Sequence, residues 1–116
     1  MLIICVLGVS VGCWGQSAND SNSGNHLLQV CLPEVRSLDN PSLPQNASEL
    51  FNEGYCLGFV AGVAQASPSV CLPTGVQPRQ AVRIVVKYLQ DHPEKLNQNG
   101  SILADTALSQ AFPCSR

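Results

Sequence analysis

The stretch Asn46-Ala47-Ser48-Glu49-Leu50-Phe51-Asn52-Glu53-Gly54-Tyr55-Cys56-Leu57-Gly58-Phe59-Val60-Ala61-Gly62 decides the fold. Asn46 followed three residues later by Glu49 is a capping-box signature: the amide side chain accepts from the helix start and the carboxylate reaches back. The apolar run behind it has no strand-like alternation, so the spacing predicts a helix to about Gln65. Gly54, Gly58 and Gly62 recur every four residues inside it. Each costs about 1 kcal/mol relative to alanine in a helix interior. Three on one stripe point to close helix packing, either within the chain or across a homodimer seam, with internal packing the favoured use.

Outward from that helix, Leu27, Leu28, Cys31 and Leu32 fit one face of a short helix starting at His26, which Pro33 is expected to close. Residues 34–45 carry Pro41 and Pro44 and read as a loop. On the other side, Gln77-Pro78 opens a third helix with proline at its first position. Val82, Val85, Val86 and Leu89 form its apolar stripe, and Arg79, Arg83 and Lys87 its wet side. His92-Pro93 ends it and starts one short turn. Ser101 is expected to cap a last helix with Ala104, Leu108, Ala111 and Phe112 inward, until Pro113. The fold class is all-α, a small disulfide-linked orthogonal bundle of four to five short helices.

Residues 1–15 read as a signal peptide: Met1–Val11 is an apolar core too short to span a membrane, and cleavage is expected near Gly15. No Lys or Arg precedes the apolar run, which departs from the usual pattern. Lipidation at Cys13 is disfavoured because Ser10 stands where a large aliphatic is normal. Residues 16–25 read as a flexible polar segment and 26–116 as one domain without a membrane span. The chain's eight acids and six bases nearly balance, so no basic field suggests nucleic acid and no acidic run suggests a tail.

Behind the leader stand Cys31, Cys56, Cys71 and Cys114, an even set that implies two disulfides and a periplasmic or secreted location. Joining Cys56 to Cys71 would force a short connection back along roughly 15 Å of helix. A helical hairpin favours Cys31–Cys56 with Cys71–Cys114, while Cys31–Cys71 with Cys56–Cys114 stays open. Zinc is disfavoured because structural sites place cysteines about two to four residues apart, so no metal or other cofactor is expected. No nucleophile has a base or elbow motif around it. Glu49 and Glu53, one turn apart, read as a solvated face, and the other carboxylates as scattered surface residues. The chain does not read as an enzyme.

Taken together, Leu27-Leu28-x-x-Cys31, Tyr55-Cys56-x-Gly58-Phe59-x-x-Gly62-Val63, Cys71-Leu72-Pro73, Tyr88-Leu89-x-x-His92-Pro93 and Ala107-Leu108 leading to Ala111-Phe112-Pro113-Cys114 form a frame over residues 24–114. That frame resembles the Rap/Tai family of type VI secretion immunity proteins. The resemblance implies a periplasmic, all-helical and often homodimeric protein that binds a peptidoglycan amidase effector and blocks its cleft. The residues that carry it specify fold rather than partner. Loops 34–46 and 91–101 are the candidate contact regions. The alternatives are a periplasmic acid-stress-type chaperone, a lipid carrier, or an orphan small helical binding protein. Two histidines and eight carboxylates make a thin case for the chaperone, and four cysteines are few for the carrier.

Overall fold

The computed structural model describes residues 21–42 and 44–115; the leader expected at 1–15 lies outside them. Four α-helices follow one another: α1 (Gly24–Asp39), α2 (Ala47–Ala66), α3 (Pro78–Asp91) and α4 (Gly100–Ala111), with a 3-10 turn at Pro93–Lys95 before α4. There is no strand among the described residues, only isolated bridges pairing Ser23 with Asn99 and Val70 with Pro113. All-α is the fold.

Three of the helix starts are chemically explained. Ser23 Oγ accepts from the His26 N–H at 3.2 Å. At α2 the capping box is complete: the Glu49 N–H donates to Asn46 Oδ1 at 2.8 Å and the Asn46 N–H to Glu49 Oε1 at 3.3 Å. Asn99, not the expected Ser101, caps α4, accepting from the Ser101 N–H at 2.9 Å. The shift moves the buried stripe of α4 to Leu103, Ala104, Ala107 and Leu108, and leaves Ala111 exposed.

The first helix departs most from expectation. It begins at Gly24, inside the segment expected to be flexible, and passes through Pro33 to Asp39. A proline in a helix interior removes one backbone hydrogen bond and costs about 3 kcal/mol. Tertiary packing overrides that cost here. Leu27, Val30, Cys31, Pro33 and Glu34 are all buried against the neighbouring helices, while Leu32, expected inside, is exposed. At the far end Arg36 pairs with Glu49 of α2, and Asp39 with Arg83 of α3 at 2.6 Å. Each exposed pair adds well under about 1 kcal/mol, but both hold the last turns in place.

The core gathers Val60 of α2, Val82, Val85, Val86 and Leu89 of α3, and Leu103 and Leu108 of α4 around a sulfur bridge. Cys31 is bonded to Cys56 across α1 and α2, with Cα atoms 5.1 Å apart and both residues wholly buried. Cys71 is bonded to Cys114, Cα atoms 4.9 Å apart, tying the α2–α3 connection to the C-terminal end. Beside it the Cys71 N–H donates to the Phe112 carbonyl at 2.9 Å.

Close backbone approach occurs at two glycines that four-residue spacing does not mark. The Gly24 N–H donates to the Gln98 carbonyl at 2.8 Å, and the Gly100 N–H to the Asn22 carbonyl at 2.6 Å. A Cβ on Gly24 would lie 2.5 Å from Leu103 Cδ1 and 3.1 Å from the Leu96 carbonyl; one on Gly100 would lie 3.1 Å from the Ser23 carbonyl. The internal packing expected of Gly54, Gly58 and Gly62 is not found among the described residues. A Cβ at any of the three meets nothing within 4 Å. The buried side of α2 is Glu53, Cys56, Val60 and Ala64, which puts the glycines on the outer side.

Removing the Cys71–Cys114 bond, which closes a 43-residue separation, should lower unfolding free energy in urea by about 4 kcal/mol. Removing Cys31–Cys56, at 25 residues, should cost at least about 3.5 kcal/mol. A loss under about 1 kcal/mol for either would contradict the account. Gly24→Ala should destabilise by about 1–3 kcal/mol through overpacking. Gly58→Ala, measured on dilute protein, should instead stabilise by up to about 1 kcal/mol.

Candidate functional site

The outer face of α2 is the largest anomaly of the surface. Phe51 is 72% exposed, Leu50 and Tyr55 are exposed, and Gly54, Gly58 and Gly62 continue the same side. From Gly54 to Ala66 the helix carries no charged residue. Tyr55 stacks on Phe59 with centroids 6.1 Å apart, and His26 meets Tyr55 edge-on at 6.0 Å. A helix of a soluble bundle ordinarily presents charge to water. From Gly54 on this one is apolar on both sides, and no described residue covers its outer side at Phe51 and the glycines.

The apolar surface runs on into a groove between α2 and the start of α3. Leu57, Gly58 and Ala61 form one wall, and Gln77, Pro78 and Arg79 the other, around about 570 Å³. A smaller hollow of about 160 Å³ shares Ala61, Gln77 and Pro78 and extends to Leu72 and Val76. The connection reaches it through a turn at Pro73–Val76, in which Gly75 has φ 96°, a conformation side chains rarely adopt.

The loop between α3 and α4 has the opposite character. It is polar, with Glu94, Asn97, Gln98 and Asn99 exposed. Its backbone is nevertheless pinned: the Gly24, Asn25 and Gly100 amides bond to Gln98, Leu96 and Asn22 carbonyls at 2.6–2.9 Å. His92 stacks on Tyr88 with centroids 4.4 Å apart, and its Nδ1 lies 3.2 Å from Glu94 Oε2. The Glu94 backbone N–H, then His92, hold the Glu94 carboxyl below its ordinary range. Lys87, bonded to Asp91 at 2.8 Å, does the same for Asp91. A shallow hollow of about 350 Å³ lies alongside, between Tyr88, His92 and Gln110.

The expected contact region 34–46 is only partly loop, since residues 34–39 belong to α1. What remains, 40–46, is tethered where the Gln45 amide donates to a Glu53 carboxylate oxygen. Glu53 is thus not on a solvated face: Glu49 stays outside with Arg36, but Glu53 is buried. Beside it Glu34 is wholly enclosed, a burial that nothing in its sequence neighbourhood announces. Its charge pattern reads as surface, and only the register of α1 on α2 shows otherwise.

Among the described residues no group of three or more His, Cys, Asp or Glu could hold a metal ion. All four cysteines among the described residues are joined in disulfides. The geometry is that of a rigid body with one greasy helix face and one braced polar loop, both suited to contact with another macromolecule.

No curated protein is a significant match to the chain. The family model described as Rap1a immunity proteins does match, over residues 23–114, from the cap of α1 to the last cysteine. That span is most of the chain, and the protein belongs to the Rap1a immunity protein family.

Proposed function

We propose that this protein is an exported immunity protein that acts without catalysis, binding a peptidoglycan-degrading amidase effector of type VI secretion and occluding its cleft. An immunity protein works by engaging an effector partner, and family membership carries that coarse reading. The braced α3–α4 loop is the observation that favours it as the inserting element. Three backbone hydrogen bonds fix its path before any partner arrives, so little ordering entropy is lost on binding. Its exposed polar side chains can reach into a cleft that evolved to hold a hydrated glycopeptide.

Export is supported by the two disulfides, which persist in oxidising compartments, and by the apolar leader at 1–15. No described helix is long and apolar enough to cross a membrane. The outer face of α2 supports a homodimer. With glycines at 54, 58 and 62 the two helices could approach at the short end of the usual range of about 8–10 Å, and Phe51 and Tyr55 would be covered at its ends.

Two measurements test these readings. Mixed with an amidase effector encoded beside it, the protein should suppress peptidoglycan hydrolysis at stoichiometric ratio, and Asn97→Arg should weaken that suppression at least about tenfold, near 1.4 kcal/mol, without changing the melting curve. Full hydrolysis in the presence of excess wild-type protein would overturn the inhibitor reading. In sedimentation, the wild-type chain should be dimeric and Phe51→Glu should be monomeric and folded. A wild-type chain that stays monomeric at every attainable concentration would remove the seam.

A further inference from the structure

Glu34 is the one charged side chain of the described core with 0% exposure, and neither of its oxygens has a hydrogen-bond donor. Three elements meet around it. Arg79 of α3 reaches it from the surface, its Nε 3.3 Å from Oε1. From α2 the Glu53 carboxyl faces it, and Glu53 in turn accepts from the Gln45 amide of the 40–46 loop. Among the described residues, Arg79 and Glu53 are the charged groups that act on it. The ion pairs Arg36–Glu49 and Arg83–Asp39 sit at the exposed rim and satisfy one another.

The charge count of this cluster decides its protonation. Two facing carboxylates with one guanidinium leave a net negative charge in a poorly solvated site, where repulsion is strong. With a single proton between the carboxyls the cluster is neutral, and an oxygen that lacked a donor gains one.

We propose that Glu34 is a proton-operated latch: neutral, it donates to the Glu53 carboxylate and, through Gln45, holds residues 44–46 against the bundle. When the proton leaves, the two carboxylates repel, Glu53 turns toward water, and the loop is released with it. The device is independent of the amidase reading, which rests on the other loop. It would make the protein's surface respond to the acidity of its surroundings, which an exported protein experiences directly.

The direction of the pH effect follows from burial. Enclosure first, then the neighbouring Glu53 carboxyl, push the Glu34 carboxyl above its ordinary value of 4.5, against the pull of Arg79. The folded chain therefore holds this proton more tightly than the unfolded chain. The stabilisation is fully present below the ordinary glutamate range and is lost as pH rises through the raised value. The lowered carboxyls of Asp91 and Glu94 act in the opposite sense and only at more acidic pH.

The test is a pH series by NMR on the full chain, with Glu34 carboxyl carbon and Gln45 side-chain amide as reporters. Expected in the wild type is a Glu34 transition above 4.5 that the Gln45 amide follows at the same midpoint. Arg79→Gln should move the transition to higher pH, since it removes the cation that favours the charged form. Glu34→Gln, whose amide donates without a proton, should flatten the Gln45 titration and keep the loop closed throughout. A Glu34 carboxyl that titrates in the ordinary range, or a Gln45 amide that ignores it, overturns the latch. Should Glu34→Gln fail to fold, the wild-type and Arg79→Gln midpoints decide the matter alone.

Discussion

The buried Cys31–Cys56 bond is the constraint on which the rest of this structure depends. It joins α1 to α2 with both residues sealed from water. With that hairpin covalently closed, α1 can run through Pro33 instead of ending there, because its last turns already lie on α2. The second bond, Cys71–Cys114, draws the C-terminal end of the chain onto the connection between α2 and α3. A domain of this size buries limited apolar area, and covalent links that shrink the unfolded ensemble compensate.

One consequence is that α2 can be apolar on two sides. Its inner side, Cys56, Val60 and Ala64, is committed to the core, and the crosslink prevents it from rolling to bury the other. The outer side therefore stays available, with Phe51 and the glycines uncovered. A less constrained helix of this composition would find several orientations of similar energy, and the surface would not be defined. Rigidity and stickiness in one element are what a binding protein requires.

What the sequence made legible was local chemistry. The Asn46/Glu49 capping box, the Val82–Leu89 stripe and the Gln77-Pro78 start all depend on neighbours within one or two turns, and the structure contains each of them. What it hid was set by remote neighbours. Pro33 reads as a helix end because the packing that rescues it comes from α2 and α3. The four-residue glycine spacing reads as internal contact, whereas the real close approaches, at Gly24 and Gly100, face Leu103, Leu96 and Ser23 from distant segments. Glu34 and Glu53 read as solvated acids because sequence shows their charge but not the helix register that encloses them. The partner-facing surface was the least legible, since the residues marking the family frame are cysteines, glycines, prolines and core apolars, and fold is what those residues specify.

The account turns on which sulfur is joined to which. Trypsin alone cannot resolve this, because Cys56 and Cys71 lie on one fragment between Arg36 and Arg79. A digest with chymotrypsin added, which cuts after Phe59, separates them, and mass spectrometry of the non-reduced peptides reads the connectivity. The expected result is two linked pairs, Cys31 with Cys56 and Cys71 with Cys114, and no free thiol among the four. Peptides linking Cys31 to Cys71, or alkylatable thiols at these positions in protein recovered from its native compartment, would contradict it.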